Sequence, residues 1–313
     1  MELRVLRYFL AVAREGSITG AARQLHVTQP TLSRQIQELE DELGQMLLIR
    51  GNHNTVLTPE GMLLRKRAEE IMELVGKTEA EFGSMGEIIA GDVYIGGGET
   101  EAMKLIAGIV KELREEFPEV RYHLYSGNAE DVTERLDQGR LDFGILIQPV
   151  DLSKYNYVNL PAKDVWGVIM RKDSPLAKEK VVARKDLLNL PLLFSRQVIQ
   201  PASVQNEFLD WFGEDFGKLN IVGTYNLIYN AALMVNEGIG YAVTLDKLVN
   251  VTGSGNLCFR PLEPKLESGL NIVWKKYQVF SSAAELFLER IRETFAGSNG
   301  RGIRLLRQRK KPV

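Results

Sequence analysis

The chain contains 313 residues, a length that suits two or three domains of ordinary size. Hydrophobic residues make up 44% of the chain and charged residues 26%, which is the composition of a globular protein. The single cysteine, Cys258, excludes an internal disulfide and favours a reducing, cytoplasmic location. The 39 lysines and arginines are balanced by 41 aspartates and glutamates, so the net charge gives no support to a nucleic-acid partner. The sequence contains neither a membrane span nor a signal-peptide pattern, and no membrane partner is expected.

Three helices are predicted at the start of the chain. Over residues 3–13, apolar side chains recur at spacings of three and four, as on one face of a helix. Ser17 can cap a short second helix over residues 18–25, and Thr28 can cap a third helix after a tight turn. A short helix, a turn and a capped helix predict a helix-turn-helix over about residues 18–37.

The third helix has an apolar face and a polar face. Leu32, Ile36, Leu39 and Leu43 fall within one narrow arc, and the polar residues near the helix start lie on the opposite side. Such a helix fits the major groove of DNA, where arginine pairs with guanine, glutamine with adenine, and serine or threonine with bases or phosphates. The candidate DNA-contacting residues of this helix are Thr28, Gln29, Pro30, Thr31, Ser33, Arg34 and Gln37. The alternative is an ordinary helical hairpin with a solvated polar face.

A small hairpin follows the helix-turn-helix. Residues 47–50 and 55–58 predict two short strands that flank a polar turn. A hairpin in this position is a wing, and it would place Arg50 and His53 near the DNA backbone or the minor groove. Thr58 then caps the start of a long helix.

At this point the sequence resembles a known family. The segment GSITGAARQLHVTQPTLSRQIQELEDELGQMLLIR, followed by LTPEG, resembles the winged helix-turn-helix of LysR-type transcriptional regulators. The resemblance runs unbroken from Met1 to about Gly61, and residues 1–58 are taken as the DNA-binding domain. It implies sequence-specific binding to double-stranded DNA at a pseudo-palindromic promoter site, including the promoter of the chain's own gene.

Residues 59–90 predict a linker helix. Its apolar residues alternate at spacings of four and three, which is typical of a coiled-coil seam. The predicted seam contains Leu64, Ile71, Val75 and Phe82. The alternative is a long helix packed on its own chain. The resemblance implies a homodimer through this helix, with a homotetramer as the expected further assembly, so that two recognition helices meet two half-sites.

Beyond Gly91 strands and helices alternate, which predicts parallel sheets in α/β lobes. Crossings near Pro161 and Pro264 would divide this part into lobe I, about 91–160 and 267–296, and lobe II, about 161–266. The pattern resembles the two-lobed, periplasmic-binding-protein-like effector domain of the same family over residues 91–296. The expected fold is therefore α/β overall, with a winged helix-turn-helix, a linker helix and a two-lobed effector domain. Residues 297–313 form a basic tail that contains six cations and no acid.

Ligands of α/β lobes bind beyond the carboxyl ends of the strands, often against helix N-termini. The resemblance implies that a small-molecule effector in this cleft controls DNA binding or promoter activation. The candidate effector-binding residues are Thr100, Glu101, Ser126, Gly127, Asn128, Ser195, Arg196, Thr224, Tyr225 and Asn226. If Glu99 and Glu101 face the cleft, they disfavour a carboxylate effector, which Arg196 could hold from the opposite wall.

Enzymatic patterns are weak in this sequence. The three histidines are dispersed, no phosphate-binding loop or nucleophile elbow occurs, and no catalytic residue, metal or cofactor is expected. Cys258 lies in an apolar stretch and is expected to be buried. The alternative function is a solute-binding or catalytic α/β protein with an accessory helical dimerisation arm, which would need no function for Gln29 or Arg34.

Overall fold

The computed structural model describes residues 1–50, 54–83, 89–199, 206–253 and 255–295, with the backbone alone at residues 50 and 80–83. Its contacts divide the chain into two units, residues 1–83 and 84–313. The linker helix thus groups with the helix-turn-helix. The basic tail expected over residues 297–313 lies outside the described residues.

The first unit contains the predicted three helices, wing and linker helix. Its elements are α1 (Leu3–Glu15), α2 (Ile18–Gln24), α3 (Gln29–Leu43), β1 (Leu48–Arg50), β2 (Thr55–Leu57) and α4 (Pro59–Gly83). Ser17 caps α2 by accepting a hydrogen bond from the amide of Gly20 at 3.2 Å. The apolar stripe of α3 packs with Phe9 and the Ala21-Ala22 pair in one buried cluster, whereas Leu43, at the end of the stripe, is exposed.

A buried glutamate interaction joins α3 to the wing. The Oε1 atom of Glu40 accepts hydrogen bonds from the amides of Leu47 and Leu48, at 2.8 and 3.1 Å. The amide of Leu47 precedes β1 and that of Leu48 begins it. On this side of β1 the described residues provide no neighbouring strand. The Glu40 side chain therefore fixes the start of the wing relative to α3.

The start of α4 is fixed by a second close contact. The hydroxyl of Thr58 donates to the carbonyl of Met46 at 2.7 Å and accepts from the amide of Gly61 at 2.9 Å. A Cβ atom on Gly61 would lie 2.1 Å from the carbonyl oxygen of Leu47. A glycine is needed here because the helix passes directly over the backbone of the segment before the wing.

The second unit alternates strands and helices, as the sequence predicts. Its first elements are β3 (Gly91–Gly97), α5 (Met103–Glu116), β4 (Val120–Ser126), α6 (Ala129–Asp137), β5 (Phe143–Ile147), β6 (Tyr155–Arg171), β7 (Val182–Ala183) and α7 (Arg184–Leu187). The remaining elements are β8 (Leu192–Ser195), α8 (Arg196–Ile199), α9 (Glu207–Phe212), β9 (Ile221–Tyr225), α10 (Ile228–Asn236), β10 (Tyr241–Leu245), β11 (Leu257–Glu263), β12 (Glu267–Lys275) and α11 (Ser282–Phe295).

The strands form two lobes that share β6. The path through the sheet is β4-β3-β5-β12-β6-β10-β8-β9, and β11 pairs with β6 and β7. Pairing is parallel in β4-β3-β5 and in β10-β8-β9, whereas β12 is antiparallel to both β5 and β6. The first half of β6 pairs with β12 in lobe I, and from Trp166 onward it pairs with β10 in lobe II. Each lobe has its own buried apolar clusters.

Two segments of the chain cross between the lobes. The first is β6 itself, which contains Pro161, and the second is the segment between β11 and β12, which contains Pro264. The first crossing is one long strand, since β6 runs from Tyr155 to Arg171. Cys258 is buried in β11, as expected, and burial raises the pKa of its thiol.

Candidate nucleic-acid interface and ligand cleft

The polar face of α3 is open to solvent. Six of the candidate residues are exposed and Ser33 is half-buried; the exposed ones are Thr28, Gln29, Pro30, Thr31, Arg34 and Gln37. On the opposite side of the helix, Leu32, Ile36 and Leu39 are at most 1% exposed. The apolar stripe thus anchors α3 in the unit and turns the candidate residues outward.

Thr28 caps α3, as the sequence predicts. Its hydroxyl oxygen lies 3.4 Å from the amide of Thr31 and 2.8 Å from the Thr31 hydroxyl. The first turn of the helix therefore presents two hydroxyls, which can donate to or accept from bases and phosphates. The exposed N-terminal turn of a helix also favours a phosphate.

Arg34 is held only loosely. Its Nε lies 3.6 Å from the Oε1 atom of Glu38, one turn further along α3, and 73% of the arginine side chain is exposed. An exposed ion pair of this kind contributes about 0.3–0.5 kcal/mol. The guanidinium can therefore leave Glu38 for a stronger partner at little cost.

The wing is a two-stranded antiparallel hairpin. Leu48 pairs with Leu57 and Arg50 with Thr55, at the two ends of the ladder. The backbone of Arg50 is placed at the end of β1. The Arg50 side chain and the whole of His53 lie outside the described residues, so their DNA contacts stay predictions.

The linker helix uses part of its apolar stripe within the unit. Leu64 packs against the helix-turn-helix cluster, and Ala68, on the same stripe, is fully buried. Ile71 and Val75 are half-buried, and the side chain of Phe82 lies outside the described residues. The first turns of the stripe therefore pack on the same chain, and the coiled-coil seam stays a prediction.

A cleft between the two lobes lies at the carboxyl ends of six strands. Its cavity is narrow, with a volume of about 50 Å³. Five candidate residues line it: Gly127, Asn128, Ser195, Tyr225 and Asn226. Glu99, which the sequence analysis considered at the cleft, also lines it, and further lining residues that the sequence analysis missed are Gln148, Trp166, Gln197 and Thr244. Gln148 directly follows β5, so the rule that selected the other candidates also applies to it.

The other five candidates lie outside this cleft. Glu101 and Ser126, with Thr100, line a neighbouring depression of lobe I. Thr100 is buried, and its hydroxyl accepts a hydrogen bond from the amide of Ala102 at 3.0 Å. Arg196 and Thr224 are exposed and line neither space.

Two side chains connect the lobes across the cleft. Glu99 of lobe I accepts a hydrogen bond through Oε2 from the amide of Ile228, the first residue of α10 in lobe II, at 2.8 Å. Gln197 of lobe II accepts through Oε1 from the amide of Ala129, the first residue of α6 in lobe I, at 3.3 Å. Each lobe therefore supplies an acceptor to a helix N-terminus of the other.

Tyr225 forms part of the cleft floor in lobe II. Its hydroxyl donates to the carbonyl of Val243 at 2.6 Å. Burial raises the pKa of the Tyr225 phenol, the hydrogen bond with Thr244 lowers it, and the negative charge of Glu99 raises it further. The net pKa is above its ordinary value, so Tyr225 remains a neutral hydroxyl.

A buried carboxyl lies at the first crossing. Asp164 of β6 is 2% exposed, and its Oδ2 atom has no hydrogen-bond partner among the described residues. Burial has the largest effect on Asp164 and raises its pKa. Among the smaller effects, Thr100 and Lys247 lower this pKa, whereas Asp246 and Glu101 raise it. The net pKa lies above the ordinary value for aspartate.

The geometry of the two units defines a class of protein. A winged helix-turn-helix with an exposed recognition helix is a DNA-binding unit, and a two-lobed α/β domain with a cleft at its strand ends is a ligand-binding unit. The helices of the described residues include none with the length and apolar character of a bilayer span.

Comparison with known proteins identifies the family. Residues 3–62 match the family model of the bacterial regulatory helix-turn-helix protein, lysR family, and residues 88–296 match that of the LysR substrate binding domain. The chain therefore belongs to the LysR family of DNA-binding transcriptional regulators, as its first sixty residues predict. This membership favours a regulator with an effector-binding domain over the solute-binding or catalytic alternative.

Individual relatives cover nearly the whole chain. The Hca operon transcriptional activator HcaR of Escherichia coli (strain K12) is 30% identical over 281 residues, which cover 88% of this chain and 92% of that protein. The regulator YvbU of Bacillus subtilis (strain 168) is 27% identical over 301 residues, covering 94% and 99% of the two chains. The crystal structure of full-length CbnR with its target DNA shares the fold, with a TM-score of 0.71 and 22% identity, and covers 94% of this chain and 100% of that one.

Proposed function

We propose that this regulator recognises a promoter sequence with the exposed face of α3. The residues that we assign to DNA contact are Thr28, Gln29, Pro30, Thr31, Ser33, Arg34 and Gln37. The observation that carries this assignment is the orientation of α3, whose apolar stripe is buried while this face is exposed. Arg50 and His53, at the wing, are assigned to the DNA backbone or minor groove on their sequence position.

Within this face, Arg34 has the largest expected contribution. A guanidinium pairs with guanine through two hydrogen bonds, and one such pair contributes about 1–3 kcal/mol of discrimination. The Glu38 pair that Arg34 would give up is exposed and long. Thr28 and Thr31 would position the helix on the phosphates.

The test is retardation of DNA taken from upstream of the chain's own gene. Arg34→Ala is expected to abolish specific retardation, while light scattering gives an unchanged mass. Arg65→Ala is the matched control, because Arg65 of α4 also forms an exposed pair one turn along its helix, with Glu69 at 2.9 Å. Retardation that is equal for both variants and the unmutated protein would contradict the assignment of α3.

We further propose that a small molecule binds in the cleft and controls DNA binding or promoter activation. Gly127, Asn128, Ser195, Tyr225 and Asn226 are assigned to it, together with the lining residues Gln148, Trp166 and Thr244. Support comes from their position at the carboxyl ends of strands from both lobes. Thr100, Glu101, Ser126, Arg196 and Thr224 do not line the cleft and are left out of this proposal.

The proposed assembly is a homodimer through α4, and a homotetramer as its further form, acting on DNA in the cytoplasm. Ile71, Val75 and Phe82 are assigned to the seam, with Leu64 at its end. The exposed Leu63 and Leu74 on a neighbouring face of α4 add apolar area for a partner helix. A dimer would bring two copies of α3 to the two halves of a pseudo-palindromic site. This role is regulatory and requires no catalytic residue.

A further inference from the structure

The charge in the cleft comes from one residue. Among the described residues that line it, Glu99 is the single charged side chain, and the polar ones are neutral amides and hydroxyls. Residues 200–205 lie outside the described part of the chain, and their sequence, QPASVQ, contains no charged residue. From the described residues, a ligand in this cleft therefore meets one negative charge.

The nearby cations do not change that balance. Arg196 is exposed and outside the cleft, so it does not hold a carboxylate from the opposite wall. Lys247 lines the neighbouring depression, where its Nζ pairs with Asp246 at 3.3 Å. Neither side chain offers a counter-charge to an anionic ligand in the cleft.

The first backbone amide of each of the two helices beside the cleft donates to an oxygen of the protein itself. Glu99 takes the first amide of α10, and Gln197 takes the first amide of α6. In a capping box, the side chain of Asn128 also accepts a hydrogen bond from the amide of Asp131 in the first turn of α6. An anionic ligand would have to displace these acceptors, because backbone amides at a helix start are the usual substitute for a cation in such a site.

Glu99 can still bind a cation while it holds α10. Its Oε2 atom accepts from Ile228, and its Oε1 atom has no hydrogen-bond partner among the described residues. A carboxylate can accept several hydrogen bonds, so one oxygen can join the lobes while the other receives a donor from the ligand. Around it, Ile147, Trp166 and Leu248 supply apolar surface for the body of the ligand.

We propose that the effector carries a cationic amino group, which pairs with Glu99, on a largely apolar body packed between the lobes. This inference rests on the proposed effector cleft and adds the chemical class of its ligand. An ammonium group would donate to the Oε1 atom of Glu99 and to the amide oxygens of neighbouring side chains such as Gln148 and Asn226. The negative charge then attracts a cation and repels a carboxylate of the same shape.

The experiment compares three probes that share one apolar body: benzylamine, benzyl alcohol and benzoate. Their dissociation constants are measured by ligand-observed NMR titration on the full-length protein and on three variants. Glu99→Gln removes the charge but keeps an oxygen for the amide of Ile228. Glu101→Gln is the matched control, because Glu101 belongs to the same loop, pairs with Lys104 and lies outside the cleft. Ser195→Trp fills the cleft, and its folding is checked by DNA retardation.

We expect the unmutated protein and Glu101→Gln to bind benzylamine at least about tenfold tighter than benzoate. A difference of this size corresponds to one charge-assisted hydrogen bond to Glu99. Glu99→Gln is expected to lose this preference, and Ser195→Trp to lose all three probes. Benzoate binding as tightly as benzylamine, a preference that survives Glu99→Gln, or no measurable benzylamine binding overturns the inference. If Ser195→Trp binds benzylamine unchanged, the cleft itself is misassigned and the proposed effector site fails with the inference. DNA retardation tests the regulator function independently of any probe.

Discussion

The indole nitrogen of Trp166 donates a hydrogen bond to the hydroxyl of Ser268 at 2.8 Å, and both side chains are buried. Trp166 lies on β6 and Ser268 near the start of β12, so the bond joins the two crossings between the lobes. A second bond, from the amide of Trp166 to the carbonyl of Leu266 at 2.9 Å, lies beside it. The two crossings are therefore hydrogen-bonded to each other.

Ser268→Ala tests that bond. The substitution leaves the buried indole N–H without an acceptor, and we expect the free energy of unfolding to fall by about 1–3 kcal/mol in urea titrations. In a Trp166→Phe background the same serine change should cost much less, because the donor is already gone. An equal loss in both backgrounds would show that the hydroxyl acts elsewhere.

Asp164, on the same crossing strand, makes the free energy of unfolding depend on pH. Because its pKa is raised in the folded state, the protonated form is favoured by folding, and this stabilising effect is present below pH 4 and lost as the pH rises through the folded pKa. Asp164→Asn removes the titration. Relative to the unmutated protein, the variant should gain stability as the pH increases from 4 to 8, by about 1.4 kcal/mol for each unit of raised pKa.

Asp92 provides a control of opposite sign for the pH experiment. Burial raises the pKa of Asp92, but hydrogen bonds from His123 and Arg121 outweigh it, so the net pKa lies below the ordinary value. The stabilisation is therefore present above about pH 4 and is lost as the pH falls through the folded pKa. Asp92→Asn should be less stable than the unmutated protein at pH 7, with the difference shrinking in acid. Parallel pH profiles for the two asparagine variants would refute both assignments.

Gly61→Ala should destabilise the winged helix-turn-helix. Its methyl group would lie 2.1 Å from the carbonyl oxygen of Leu47, so the start of α4 must shift and the Thr58 cap must weaken. We expect a loss of at least about 2 kcal/mol in thermal unfolding, and weaker DNA retardation. Gly76→Ala, in the same helix, has no heavy atom within 4 Å of the new Cβ and should stabilise α4 by about 0.5–1 kcal/mol. A loss of the same size at both positions would contradict the steric explanation.

Glu40→Ala should loosen the wing. It leaves the amides of Leu47 and Leu48 without their acceptor, and we expect the free energy of unfolding to fall by about 2 kcal/mol. Hydrogen exchange of these two amides, followed by NMR, should accelerate. Glu38→Ala, on the exposed side of α3, is the control and should leave their exchange unchanged.

The sequence predicts the first unit closely because its signals are local. Helix periodicity and the capping residues Ser17, Thr28 and Thr58 mark where each helix begins, within a residue or two. The 17-residue strand β6 has no such signal, because it changes partner from β12 to β10 along its length and passes through Pro161. Long-range pairing of that kind is absent from any local pattern.

The ends of the strands predict where the cleft lies, but they do not predict which side chains point into it. Thr224 and Tyr225 are adjacent on β9, and successive side chains of a strand point to opposite faces, so Tyr225 lines the cleft and Thr224 faces solvent. At the start of the helix α8, successive side chains point about 100° apart, so Gln197 lines the cleft and Arg196 is exposed. The interlobe bonds of Glu99 and Gln197 required the second lobe to be positioned, which sequence spacing does not provide.

The order of strands in lobe I has a consequence for synthesis. The strand β12 lies between β5 and β6, yet it is made after the whole of lobe II. As the chain leaves the ribosome, lobe II can complete its sheet while the facing edges of β5 and β6 still await their central partner. Unpaired edges of this kind invite wrong pairing. The nascent protein thus depends on β12, which is made after lobe II, to close the lobe that it began first.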